Sequence, residues 1–141
     1  MSILFKECVK VLQASLLSKS EAGEISELFI KHFPMTSWGK IDWEKFNHKI
    51  AIGNSPDTII PALEKLLKKQ FDKTVYIDWS EGTVDVSVIK TNLDLVVKYF
   101  DDVTCVACDK FIFNLDESYV IEILHLGDIT IGIMPPNNSI K

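Results

Sequence analysis

Arginine is absent from this chain, so all fifteen basic residues are lysines. Without a guanidinium fork there is no bidentate grip on phosphate, and no glycine-rich phosphate loop follows any apparent strand. The lysines of the first half are interleaved with Glu21, Glu24, Glu27, Glu44 and Glu64, so nucleic acid is not an expected partner. Cysteine is scarce and odd in number: Cys8, Cys105 and Cys108. With no secretion signal in view, reduced thiols and a cytoplasmic location are expected. The opening Met-Ser-Ile-Leu-Phe reaches Lys6 and Glu7 after three apolar residues, too few for the core of a signal peptide. No apolar run approaches the ~20 residues that span a bilayer. Six glycines and five prolines form no linker, and there is no internal repeat or low-complexity segment.

What is present fits one soluble globular domain over residues 1–141, with 47% apolar and 25% charged residues. A chain of this length withdraws roughly two-thirds of its unfolded surface from water, so no metal or disulfide is required. Charge is polarised along the chain. Residues 74–141 carry eleven Asp/Glu against four Lys, net −7, and residues 1–73 carry nine against eleven, net +2. An anionic half repels nucleic acid and attracts basic proteins.

Periodicity divides the chain into a helical part (1–73), a strand-rich part (74–134) and a short tail (135–141). Apolar spacings of three and four predict a helix over Ile3–Leu17. A second helix starts from a Ser20 cap, with Glu21 and Glu24 near its positive end, and stops at Pro34. The period wavers over 35–54, where a short helix near 42–49 is expected. Ser55-Pro56-Asp57 then opens a third helix with Ile59, Leu63, Leu66 and Phe71 inward. From Thr74 the period becomes two. Residues 74–79 and 83–90 read as a hairpin about Glu81-Gly82, with Val75, Ile77 and Trp79 facing the core. Asn92 caps a helix over 93–100. Val103–Asn114 reads as a long strand, Leu115–Ser118 as a turn, and Tyr119–His125 and Ile129–Ile133 as strands. The fold class is α+β: N-terminal helices on one face of a four- to five-stranded, mostly antiparallel sheet built by the C-terminal half. The only place for a parallel crossover follows the 83–90 strand, and Ile129–Ile133 is a candidate free edge for a partner strand.

No catalytic motif emerges. Cys105 and Cys108 lack the further ligands of a zinc site, and in a strand their opposite parity makes them small apolar fillers. No metal and no cofactor is expected. Glu122, His125 and Asp128 could form a general base with an orienting carboxylate, the basis of a rival reading as a small enzyme or ligand-binding domain. Three positions along a strand, however, put Glu122 and His125 on opposite faces. The acids Asp78, Glu81, Asp85, Asp116 and Glu117 read as a patch for a basic partner. Trp38, beside Gly39 in an irregular segment, is the tryptophan most suited to an exposed interface anchor.

Val75-Tyr-Ile-Asp-Trp-Ser80 and Phe111–Gly132, with Ile121, Glu122, His125 and Gly127 in an Ile-Glu-x-x-His-x-Gly arrangement, resemble small bacterial immunity proteins. These accompany polymorphic toxins, including those of contact-dependent growth inhibition. The likeness spans roughly residues 74–133. It implies a cytoplasmic, non-enzymatic protein that binds one cognate toxin domain and blocks its active site. Many such toxins are nucleases with cationic clefts, which an acidic inhibitor would meet by electrostatic steering. A housekeeping adaptor or structural subunit is the third alternative. Oligomeric state is left open.

Overall fold

The computed structural model describes residues 3–79, 88–106, 110–124 and 127–134. Within them the chain runs α1 (Ile3–Val11), β1 (Ser15–Leu16), α2 (Lys19–His32), β2 (His48–Gly53), α3 (Ile59–Leu67), β3 (Thr74–Trp79), β4 (Ile89–Asn92), α4 (Leu93–Lys98), α5 (Phe100–Thr104), β5 (Lys110–Asn114), β6 (Tyr119–Ile123) and β7 (Ile129–Ile133). The strands join in one sheet of order β1-β4-β3-β5-β6-β7-β2. Every pairing is antiparallel.

The sheet is the middle of three layers, because every residue of β5 and β6 is buried. Side chains alternate between faces along a strand. Ile112, Tyr119, Ile121, Val75 and Ile77 therefore meet Phe5 and Cys8 of α1, Leu12 just after it, Ile59 and Leu63 of α3, and Val96 and Val103 of the α4–α5 pair. On the opposite face Phe111, Phe113 and Val120 meet Phe29 of α2 and its C-cap Phe33, with Ile41 and Phe46 from the loop that follows. Phe29 stacks on Phe111 with ring centroids 5.1 Å apart. Trp79 is core, edge-on to Phe5 at 5.4 Å, as its parity predicts.

Several expectations need correction. The sheet has seven strands rather than four or five, and its two edges, β1 and β2, come from the first half. Helices cover both faces, and α4 and α5 belong to the second half. The first helix stops at Val11: Gln13 takes φ +51°, which turns the chain into β1. Helix α2 is capped by Ser18, not Ser20. Ser18 Oγ accepts from Glu21 N and Glu21 Oε1 accepts from Ser18 N, each 3.1 Å, a reciprocal capping box. In place of a helix near 42–49 there is one 3₁₀ turn at Trp43–Lys45, followed by β2.

The long strand from Val103 does not form. Phe100 and Val103 are buried at helical spacing in α5, Cys105 is an exposed residue capping that helix, and β5 begins at Lys110; Cys108 lies outside the described residues. Strands β3 and β4 pair as expected, with Tyr76 opposite Lys90, while the Glu81-Gly82 turn lies outside the described residues. One topological expectation holds: β4 and β5 both pair antiparallel with β3 and so run parallel to each other, and the route between them through α4 and α5 is the parallel crossover expected after this strand. Strand β7 is no free edge, since it lies between β6 and β2.

Candidate functional site

Glu122 lies on β6 opposite Phe111, on the face covered by α2, and is only 5% exposed. A buried carboxylate is tolerated only with donors for its oxygens. Oε1 accepts from Trp43 Nε1 at 2.7 Å and Oε2 from the Ile41 backbone N–H at 3.2 Å. These bonds hold down the loop after α2. The same loop closes a small hairpin through the Met35–Ile41 bridge, with Gly39 at φ +84° supplying the turn. Trp38 sits in that hairpin, 74% exposed. Glu122 is thus committed to architecture. Asp128 is exposed beyond the β6 end, and His125 lies outside the described residues. The rival catalytic trio loses Glu122, one of its two carboxylates, to this clasp.

The β5–β6 turn is a second polar centre. Asn114 Oδ1 accepts from Glu117 N at 2.7 Å, and Asn114 Nδ2 donates to Thr74 O at 2.8 Å. Glu117 accepts from the Asp72 N–H at 3.0 Å and pairs with Lys69 Nζ at 2.9 Å. The Asp72 N–H first, then Lys69, hold the Glu117 carboxyl below its ordinary range. Asp72 is likewise lowered, chiefly by the Thr74 N–H. Tyr119 OH donates to Asp72 O at 2.7 Å. His32 Nε2 lies 2.8 Å from Ser118 Oγ, and burial disfavours its cation.

The sequence-derived acids are therefore in different situations. Asp78 is partly buried on the α2 face, where Ser26 Oγ donates to Oδ2 at 3.0 Å and burial raises the carboxyl. Glu117 is tied into the turn just described. Asp116 is exposed. Glu81 and Asp85 lie outside the described residues. Asp78 is opposite Phe111 near the start of β5, while Asp116 follows Asn114 at its other end. Three residue steps of extended chain, ~10 Å, separate those levels, so Asp78 does not merge with Asp116 and Glu117 into one patch.

Sequence reasoning missed a groove beside α2. Glu21, Ile25 and Leu28, at spacings of four and three, form one wall, and Tyr76 and Lys90 of β3 and β4 form the floor. A cavity of about 430 Å³ opens here towards β1 and Glu24. An adjoining one of about 340 Å³ continues to Leu115 and Asp116. The two share Ile25, Tyr76 and Lys90. Lys90 Nζ lies over the Tyr76 ring, 5.9 Å from its centroid. The available signal was the excess of apolar residues on α2: Leu28 and Ile30 are 48% and 62% exposed.

Residues 1–132 match the family described as CdiI immunity protein EcoliA0-like. The chain belongs to this CdiI immunity family. The match takes in the helical first half, beyond the span of the resemblance drawn from residues 74–133. CdiI proteins are toxin-neutralising immunity proteins, and binding of a cognate toxin follows from membership. A search of curated proteins gave no match. No helix among the described residues of this CdiI chain is long and apolar enough to cross a membrane.

Proposed function

We propose that this CdiI family member acts in the cytoplasm, binding the toxin domain of a contact-dependent growth inhibition system and covering its active site without chemistry of its own. The observation that carries the reading is family membership over residues 1–132. The charge distribution supports its finer part. A second half of net −7 complements a cationic cleft, and nuclease toxins have such clefts because their substrate is polyanionic. Opposite fields raise the encounter rate and orient the partners.

Exposed Asp116 and exposed Trp38 are the leading contact residues of the set Asp78, Glu81, Asp85, Asp116, Glu117 and Trp38. Tryptophan combines a large apolar area with one donor, the chemistry of an interface anchor. Asp78 and Glu117 come second, since Ser26 and Lys69 already engage them.

The test uses the cognate toxin domain, sought first in the gene directly upstream of this chain. Co-expression should restore growth of cells making that domain, and the purified proteins should form a stable complex that no longer cleaves nucleic acid. Absence of a complex refutes the toxin-binding reading. A complex whose toxin never cleaves nucleic acid refutes the nuclease assignment alone.

A further inference from the structure

We infer that the groove between α2 and the β1–β4 edge is the docking site for the toxin, and that its occupant is a segment with apolar side chains flanked by lysine or arginine. This rests on the toxin-binding reading above. Helix α2 packs over β5, where Phe29 meets Phe111 and Phe113. It stops short of the sheet edge. On β4, Ile89 and Thr91 are buried towards the other core while Lys90 and Asn92 are exposed. Among the described residues, no element covers β4 and β1 on the α2 side.

The chemistry of the opening selects its ligand. Its middle is apolar and aromatic, built from Ile25, Leu28, Tyr76 and Leu115. Leu16 and Leu28 keep 45% and 48% of their surface in water, area that a partner would withdraw. Glu21 and Glu24 stand at one end and Asp72 and Asp116 at the other. Against these four carboxylates the described lining residues offer one cation, Lys90. A nucleic acid or an anionic membrane would be repelled. A protein segment that places side chains over Tyr76 and cations at both ends satisfies both parts. The wall from Glu21 to Leu28 is ~10 Å long, so one or two turns of helix, or a short loop, fill it.

The probe is the toxin domain that passes the co-expression test above, with association followed by stopped flow or surface plasmon resonance at low salt. The double variant Glu24→Lys/Asp116→Lys should associate about tenfold more slowly. The control Asp57→Lys/Asp101→Lys makes the same change in net charge on exposed residues of the opposite helix layer, and should stay within about twofold of wild type. Lys90→Gln should associate faster than wild type. Leu28→Ser should dissociate about tenfold faster with little change in association. Circular dichroism and thermal melting establish that each variant is folded. Equal slowing by the groove pair and the control pair overturns the groove while leaving toxin binding intact, as does an unchanged dissociation rate for Leu28→Ser. Failure of the wild-type chain to bind overturns the functional reading and the groove with it.

Discussion

Replacing Glu122 with glutamine keeps shape and volume, yet should cost far more than an ordinary surface change. The carboxylate is acceptor-only, and two donors face it: Trp43 Nε1 on Oε1 and Ile41 N–H on Oε2. Glutamine offers one acceptor and turns an NH₂ group towards the second donor. One bond to a charged acceptor becomes a neutral one, and one buried donor loses its partner. At ~1–3 kcal/mol for an unsatisfied buried group, and somewhat less for the weakened bond, the sum is about 3 kcal/mol. At ~3–4 °C per kcal/mol for a chain of this size, the thermal midpoint falls by about 10 °C. Urea unfolding followed by tryptophan fluorescence reads the first number and a thermal melt the second. A double-mutant cycle sharpens the test. In Glu122→Leu both donors are stranded, so adding Trp43→Phe removes one of them and should cost ~1–2 kcal/mol less than Trp43→Phe does alone. A Glu122→Gln protein within about 0.5 kcal/mol of wild type, or strictly additive cycle energies, would refute the clasp; the first threshold is the usual scale of surface substitutions.

Gly132→Ala should destabilise by ~1–3 kcal/mol, because its Cβ would stand 2.6 Å from Trp43 Cζ3 and 2.8 Å from Phe46 Cδ2; a urea midpoint unchanged from wild type would contradict the packing of these rings on β7. Asp78→Asn should stabilise the protein at neutral pH, because burial raises this carboxyl and the fold therefore favours its protonated form. A raised carboxyl weakens the fold once it ionises, so the advantage of asparagine should shrink as pH falls through the upper carboxylate range. Denaturant titrations at several pH values decide it, and an asparagine variant less stable at neutral pH than at acid pH, relative to wild type, would reverse the sign.

Strong periodicity was legible. The period-two run at Val75, Ile77 and Trp79, the Asn92 cap with its 2.8 Å bond from Asp94 N, and the strands at Tyr119 and Ile129 all appear near their expected positions. Edge strands were not. Strand β1 has two residues, too few to show a period, and β2 leaves four of its six exposed, with only Ile50 and Ile52 turned to the core, so neither carries the strong run that burial imposes on an interior strand. The expected strand starts at Val103 and so takes in the end of α5: Val103 and Thr104 are β-branched, a preference that packing of Phe100 and Val103 overrides. The role of Glu122 was hidden for another reason. Its donor Trp43 is 79 positions away, so a buried clasp and a catalytic acid look alike in sequence. Which face α2 covers was likewise undetermined by its own apolar stripe, and the groove it leaves open went unread.

The placement of β2 bears on how such a chain emerges from the ribosome. Among the described residues its Gly53 pairs with Ile129, so this strand waits for 76 further residues (129 − 53), roughly 4–15 s at ~5–20 residues per second. Protection against an incoming poison thus waits until Ile129–Ile133 has left the ribosome and slotted between its neighbours. A nascent chain halted before residue 129 would leave the His48–Gly53 ribbon without its mate, a target for proteases rather than a shield.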